Sequence, residues 1–207
     1  MNSVSRESLP AAYFEDVYRR KADPWDFATS PYESEKYAAT LAALPAGIRF
    51  RSALELGCSI GVFTALLALR CEKLLAVDVN ETALAQARVR CAGMPGLRFE
   101  QRILPDDFPA ATADGSPFDL IVMSEIGYYF SSSALGSVRE KMIAALAPGG
   151  LLLLVHWTPR VPDYPLTGDE VHGAFLEHPT ALAHLHAKRA ETYRLDLFKR
   201  QPSPAFH

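Results

Sequence analysis

The residues best placed to do chemistry begin with Glu55-Leu56-Gly57-Cys58-Ser59-Ile60-Gly61, a segment that follows an apolar run and opens a helical pattern. Gly57 lets the chain turn sharply and lets a ligand approach the backbone without meeting a Cβ. Gly61 serves close approach at the helix start, where free N–H groups and the helix dipole face outward. The spacing is G-x-x-x-G and not the G-x-G-x-x-G of a dinucleotide loop, which disfavours a pyrophosphate ligand. A tight strand-to-helix turn without any ligand would use the same glycines. Asp78 tips the balance. It closes the next apolar run, 21 positions after Gly57, where a carboxylate can accept hydrogen bonds from both hydroxyls of a ribose. Its other possible role is to cap the helix starting near Glu81, although Asn80 can do that. Loop and acid together point to a ribose-bearing ligand.

Two further groups end later apolar runs. In Ser124-Glu125-Ile126-Gly127-Tyr128-Tyr129 the carboxylate of Glu125 can take a proton or orient an acceptor, and the tyrosines can shape a pocket; a turn cap and two core rings are the alternative. In His156-Trp157 the imidazole can act as a base, or can be a hydrogen-bonded rim residue beside a packing tryptophan. Trp25 and Tyr32 lie in a proline-rich stretch and read either as parts of a lid over a cationic centre or as anchors of that stretch, whereas Tyr37 reads as an anchor. His184 and His186 alternate on one strand face without a third ligand, and Cys58, Cys71 and Cys91 have no metal-ligand spacing, so no metal is expected.

The elements that must position these groups alternate. SALEL, KLLAVDV, LRFEQRIL, FDLIVMSEI and LLLLVHW read as strands separated by the helical stretches GVFTALLALR, ETALAQARVRCA and LGSVREKMIAALAPGG, the last closed by Pro148, Gly149 and Gly150. Continuous apolar strands between helices imply a parallel sheet covered on both faces, an open, doubly wound α/β architecture. Before it, Tyr13 to Arg20 predicts a short helix, Pro24 and Pro31 interrupt, and helical spacing returns from Glu33 to Leu44. After it, GDEVHGAFLEHP reads as a helix capped near Thr167 or Gly168, and ALAHLHAKRAETYRLDLFKR as two strands turning near Ala190 to Thr192. The expected organisation is one domain over 1–207: an arm with a first helix over 1–47, a ligand-binding core over 48–157, and a substrate-side helix with a terminal hairpin over 158–207.

LELGCSIGVFT, AVDVNETAL, FDLIVMSEIGYYF and LAPGGLLLLVHW, in this order over roughly residues 50–157, resemble the successive motifs of class I S-adenosylmethionine-dependent methyltransferases. With DPWDFATSPYESEKY ahead of them, the chain resembles the nodulation protein S family, which methylates the amine of de-N-acetylated chitooligosaccharides. The resemblance implies a mostly parallel seven-stranded, Rossmann-like sheet with a C-terminal antiparallel hairpin, S-adenosylmethionine as methyl donor and S-adenosylhomocysteine as product. It implies that Gly57, Cys58 and Gly61 line the methionine end, that Asp78 holds the ribose, that Val79 packs on the adenine, and that Glu55 and Phe63 also belong to the cofactor site. Backbone groups near Arg102 and Ile103 would meet the base, since Gln101-Arg102-Ile103-Leu104 offers no carboxylate there and Asp106 lies late. Ser124, Glu125, Trp25 and Tyr32 would complete the cofactor site, with Glu125, Tyr128 and His156 as catalytic candidates. The expected reaction is attack of a neutral amine on the methyl group; the alternatives are an oxygen acceptor, for which His156 would be the base, and a cofactor-binding protein without turnover.

Composition restricts partners. The 207 residues carry a net charge of −3 and are 49% hydrophobic, which is wrong for a disordered chain and for a non-specific nucleic-acid binder. No apolar leader region or membrane-length stretch is visible, so a cytoplasmic protein acting on a small molecule or oligosaccharide is expected, with no nucleic acid or membrane as partner. Oligomeric state has no sequence signal.

Overall fold

In the computed structural model, residues 7–202 are described; positions 1–6 of the arm and 203–207 of the terminal stretch lie outside them. The chain runs α1 (Ala11–Arg20), α2 (Pro31–Ala43), β1 (Ala53–Leu56), α3 (Val62–Ala68), β2 (Leu74–Asp78), α4 (Glu81–Arg90), β3 (Leu97–Gln101), β4 (Phe118–Ser124), a 3-10 turn (Gly127–Tyr129), α5 (Ser132–Ala145), β5 (Leu146–Trp157), α6 (Gly168–Leu176), β6 (Leu182–Arg189) and β7 (Tyr193–Arg200).

The seven strands form one sheet in the order β3-β2-β1-β4-β5-β7-β6. The first five are parallel, and β7 runs antiparallel to both β5 and β6. Strand period explains why both faces are buried. Leu54, Leu56, Ile121, Met123, Leu152 and Leu154 point to the side covered by Val138 and Met142 of α5 and Val171 and Phe175 of α6. Leu120, Val122, Leu153 and Val155 point to the other, against Phe63 and Leu67 of α3 and Tyr37 of α2. Strand order reverses between β1 and β4, and a crevice opens at such a switch beyond the strands' carboxyl ends.

Several boundaries differ from the sequence reading by a few residues, and two of the shifts have a clear physical cause. Helix α2 starts at Pro31 instead of Glu33, because proline suits the first helical position and the Ser30 side chain accepts the Glu33 N–H. Strand β5 starts at Leu146: Phe118 pairs with Leu146 and Leu120 with Leu151, so Pro148-Gly149 is absorbed as an irregularity within the strand instead of closing α5. The C-terminal helix is capped at Thr167, whose hydroxyl accepts the Glu170 N–H while the Glu170 carboxylate returns to the Thr167 N–H.

Candidate active site

A cavity of about 460 Å³ lies over the switch point, between the strand ends and the N-terminal arm. Its floor is the turn after β1. Gly57 has φ +77°, and a Cβ there would stand 2.2 Å from Ile126 Cγ2, so only glycine fits. The Gly57 and Cys58 N–H groups both donate to the Val77 carbonyl, at 2.8 and 3.0 Å, which ties the turn to the tip of β2.

Asp78 stands at that tip, partly buried and facing the cavity. Its Oδ2 accepts the Ser59 N–H at 2.8 Å and its Oδ1 the Asn80 N–H at 2.9 Å. Burial pushes the carboxyl above its usual value, against the pull of those N–H groups. Asn80, not Asp78, caps α4, accepting the Ala83 N–H at 2.9 Å. Ser59 is held at φ +49° and its hydroxyl meets the Tyr18 hydroxyl at 2.5 Å, which fastens α1 over the turn. Val79, Arg102 and Ile103 also line the cavity. The Arg102 guanidinium is engaged by Glu100 and Asp107, and the Arg102 N–H donates to the Asp78 carbonyl at 3.0 Å.

Ser124 and Glu125 form the wall at the end of β4. Glu125 takes the unusual φ of +60°, which aims its carboxylate at three donors: Lys36 Nζ on Oε1 at 2.5 Å, and the Tyr128 hydroxyl at 2.7 Å and the Trp157 N–H at 2.8 Å on Oε2. Tyr128 stacks on Tyr164 with ring centroids 5.0 Å apart, and Tyr129 meets Tyr164 edge-on at 4.8 Å, so an aromatic wall continues from the carboxylate. From the arm, Trp25 stacks on Phe27 and meets Tyr18 edge-on, while Tyr32 accepts a hydrogen bond from Thr192 and packs beside Trp157; both line the cavity.

The structure does not bring every nominated residue there. Glu55 points from β1 into the interior at 2% exposure, where burial lifts its pKa to about 7. Cys58 packs against Ala76 and Leu84 beneath the turn, and burial raises its thiol pKa well above the usual value. Gly61 is needed for helix packing, since a Cβ there would stand 2.9 Å from the Ala87 Cβ. Phe63 lies against Tyr37 with ring centroids 5.3 Å apart. The turn presents its backbone upward and buries these side chains behind it.

His156, expected at the rim, is fully buried. Its Nε2 accepts the Gly127 N–H at 3.0 Å and its Nδ1 faces His172 Nε2 at 3.1 Å, so neither nitrogen is open to a substrate. Burial holds its pKa well below the ordinary value. His184 bonds to Asp196 at 2.7 Å, and no group of three or more His, Cys, Asp or Glu among the described residues could hold a metal ion. No helix among the described residues is long and apolar enough to cross a membrane.

Sequence reasoning missed Glu33, Lys36, Tyr18 and Tyr164, all of which line the cavity. A signal for the first two was present. Glu33, Lys36, Tyr37 and Thr40 fall at i, i+3, i+4 and i+7, so a glutamate and a lysine occupy the stripe a helix normally keeps apolar.

A mostly parallel seven-stranded sheet with a terminal antiparallel hairpin, a glycine turn after β1 and an acid at the tip of β2 define the class I methyltransferase fold. The family model of nodulation protein S (NodS) matches residues 15–159, and the chain belongs to that family. It is 33% identical over 132 residues to nodulation protein S of Bradyrhizobium diazoefficiens, covering 63% of this chain and 61% of that one. The match to nodulation protein S of Sinorhizobium fredii is 31% over 129 residues, covering 62% and 57%. The chain thus spans about three fifths of the length of these curated relatives. Among solved structures it is similar to the N-methyltransferase NodS of Bradyrhizobium japonicum WM9 in complex with S-adenosylhomocysteine, with TM-score 0.79 and 25% identity over 91% of this chain and 98% of that one. It is also similar to a putative methyltransferase from Pseudomonas syringae, with TM-score 0.69 and 37% identity over 82% and 99%.

Proposed function

We propose that the protein is an S-adenosylmethionine-dependent N-methyltransferase whose acceptor is an amine on a small molecule or amino sugar, of the kind a de-N-acetylated chitooligosaccharide presents. The observation that carries this reading is the cavity-facing Asp78 carboxylate beside the Gly57 turn, one strand away from the Glu125 wall. The similarity to a NodS N-methyltransferase solved with S-adenosylhomocysteine supports both the cofactor and the nitrogen acceptor.

The donor set fits the cofactor. Asp78 would accept from the ribose hydroxyls, the backbone around Gly57 and Ser59 would meet the amino-acid end, and Val79 with Arg102 and Ile103 would border the base. Bound there, S-adenosylmethionine supplies a methyl group activated by a positively charged sulfur. The chain's own tasks are to orient the acceptor and exclude water, and positioning of that kind accounts for a large share of rate in a two-substrate reaction. Tyr18 and Trp25 close the cavity from the arm. Tyr164, backed by the buried Tyr128 ring, provides an aromatic surface against which a sugar ring can lie. An oxygen acceptor needs a strong base, and the engagement of both His156 nitrogens counts against that reading.

The test is transfer of an isotope-labelled methyl group from S-adenosylmethionine to a de-N-acetylated chitooligosaccharide, its N-acetylated counterpart, and a panel of small amines and phenols. Label on amines alone is the expected result. Label on phenols, or tight cofactor binding with no transfer to any acceptor, would replace the reading.

A further inference from the structure

Three charged side chains meet on the cavity wall, and their count does not balance. Lys36 Nζ lies 2.9 Å from Glu33 Oε1 and 2.5 Å from Glu125 Oε1, with the lysine side chain 2% exposed. One cation thus serves two carboxylates, which leaves an uncompensated negative charge beside the cavity. The two carboxylates are not equivalent. Glu125 has three donors, one on Oε1 and two on Oε2. Glu33 has only Lys36 at close range, on Oε1, with the Tyr37 hydroxyl as a weaker neighbour, and its Oε2 is buried without a well-formed hydrogen bond among the described residues. A carboxylate oxygen withdrawn from water without a donor is costly, and a ligand that brings a donor and a positive charge removes that cost.

Resting on the methyltransferase reading, we infer that Glu33 is the catalytic group that receives the acceptor's ammonium and takes its proton, so the site selects acceptors that arrive as cations. An alcohol can offer the donor but not the charge. In the step, one N–H proton of the ammonium passes to the Glu33 carboxylate, giving a neutral amine and a carboxylic acid. The freed nitrogen lone pair forms the new C–N bond while the electron pair of the C–S bond stays with sulfur, and Glu33 returns its proton to solvent as product leaves. Glu125, already accepting from Lys36, the Tyr128 hydroxyl and the Trp157 N–H, holds this wall in place and does not carry the proton.

The groups facing Glu33 agree with this division. On its own helix it meets Lys36 and Tyr37, and Tyr32 and Glu125 face it from either side. Burial lifts its pKa, with Lys36 pulling the other way, which makes it a better proton acceptor than a surface glutamate. Lys36 is lifted as well, the two carboxylates outweighing its burial, and so stays an ammonium.

The experiment compares wild type with Glu33→Gln and Glu33→Asp. Binding of a de-N-acetylated chitooligosaccharide and of its N-acetylated counterpart is measured by calorimetry with S-adenosylhomocysteine present, and transfer rates are followed from about pH 6 to 9. Wild type should bind the amine about tenfold more tightly than the amide, and Glu33→Gln should erase that preference while keeping its affinity for S-adenosylhomocysteine. Transfer by Glu33→Gln should fall about a hundredfold near neutrality and recover as pH rises and the free amine needs no proton acceptor, with Glu33→Asp between the two. Equal binding of amine and amide by wild type overturns the inference without any variant. So does a Glu33→Gln pH profile that parallels wild type. Absence of transfer by wild type would strike the functional reading instead, while the binding comparison still decides whether Glu33 selects a cation.

Discussion

His156 Nδ1 faces His172 Nε2 at 3.1 Å, and the direction of the proton between them is set by their other partners. The Gly127 N–H donates to His156 Nε2, so a neutral His156 carries its hydrogen on Nδ1 and donates it to His172. His172 then donates from Nδ1 to Asp196 Oδ2 at 2.5 Å, and Asp196 is also held by Arg194 and His184. This buried chain ends on the backbone two residues after Glu125. His172→Phe orphans the buried His156 N–H and leaves Asp196 Oδ2 with Arg194 alone, at an expected cost of about 1–3 kcal/mol in denaturant titration. Because the chain holds the turn that carries Tyr128, acceptor KM should rise while S-adenosylhomocysteine affinity holds. Wild-type stability and KM in the variant would show that the chain holds nothing in place.

Lys36 gives a second prediction, since Lys36→Met leaves Glu33 and Glu125 facing each other without their shared cation. Removing one partner from a buried ionic cluster costs about 3–5 kcal/mol. The folded pKa of Lys36 lies above its ordinary value, so the lysine itself stays charged at every pH below about 10 and its own titration removes the contribution only above that. In the variant, protonation of a carboxylate relieves the repulsion, so the deficit should be smaller near pH 5 than near pH 8. Thermal melts at the two pH values decide it, and a deficit independent of pH would argue that the cluster is electrostatically inert.

Asp78→Asn keeps the shape of the β2 tip but replaces one acceptor oxygen by an NH₂ that cannot accept from Ser59, Asn80 or a ribose hydroxyl. Loss of a charge-assisted acceptor should weaken S-adenosylhomocysteine binding by about 1–3 kcal/mol, measured by calorimetry. Affinity equal to wild type would remove Asp78 from the cofactor site.

Fold and site were unevenly legible in the sequence. The parallel core was readable because buried strands such as FDLIVMS are continuous apolar runs, and Gly57 was readable because a positive φ leaves few other residues possible. Glu125 and Asp78 stood out as acids ending such runs. Glu33 and Lys36 did not, because their meaning depends on α2 folding back so that a helix in the arm meets the end of β4, a contact across 89 positions. His156 is hidden for a similar reason: strand β5 does reach the rim, but α6, through His172, closes over that residue. Side-chain direction in the glycine turn has no sequence signal, so Cys58 and Phe63 read as ligand contacts although their side chains pack behind the turn.

Glu55 gives a prediction about stability, not catalysis. It sits in β1 with Oε2 buried and unpartnered among the described residues, and burial lifts its pKa from 4.5 to about 7. A folded pKa above the unfolded one means that the native state binds the proton more tightly. The resulting stabilisation is complete below about pH 4.5 and is lost as pH rises through 7. Burial of His156 and His172 in neutral form works in the opposite sense, since the unfolded chain takes up protons that these imidazoles refuse, and stability falls as pH drops below about 6.5. Glu55→Gln removes the first effect and keeps the second. The unfolding free energy of wild type minus that of Glu55→Gln should therefore fall by on the order of 3 kcal/mol between pH 4.5 and 8, with the histidines cancelling in the difference. A difference that stays flat over that range would mean that the Glu55 carboxyl titrates as it does in the unfolded chain, and that water reaches the underside of the glycine turn.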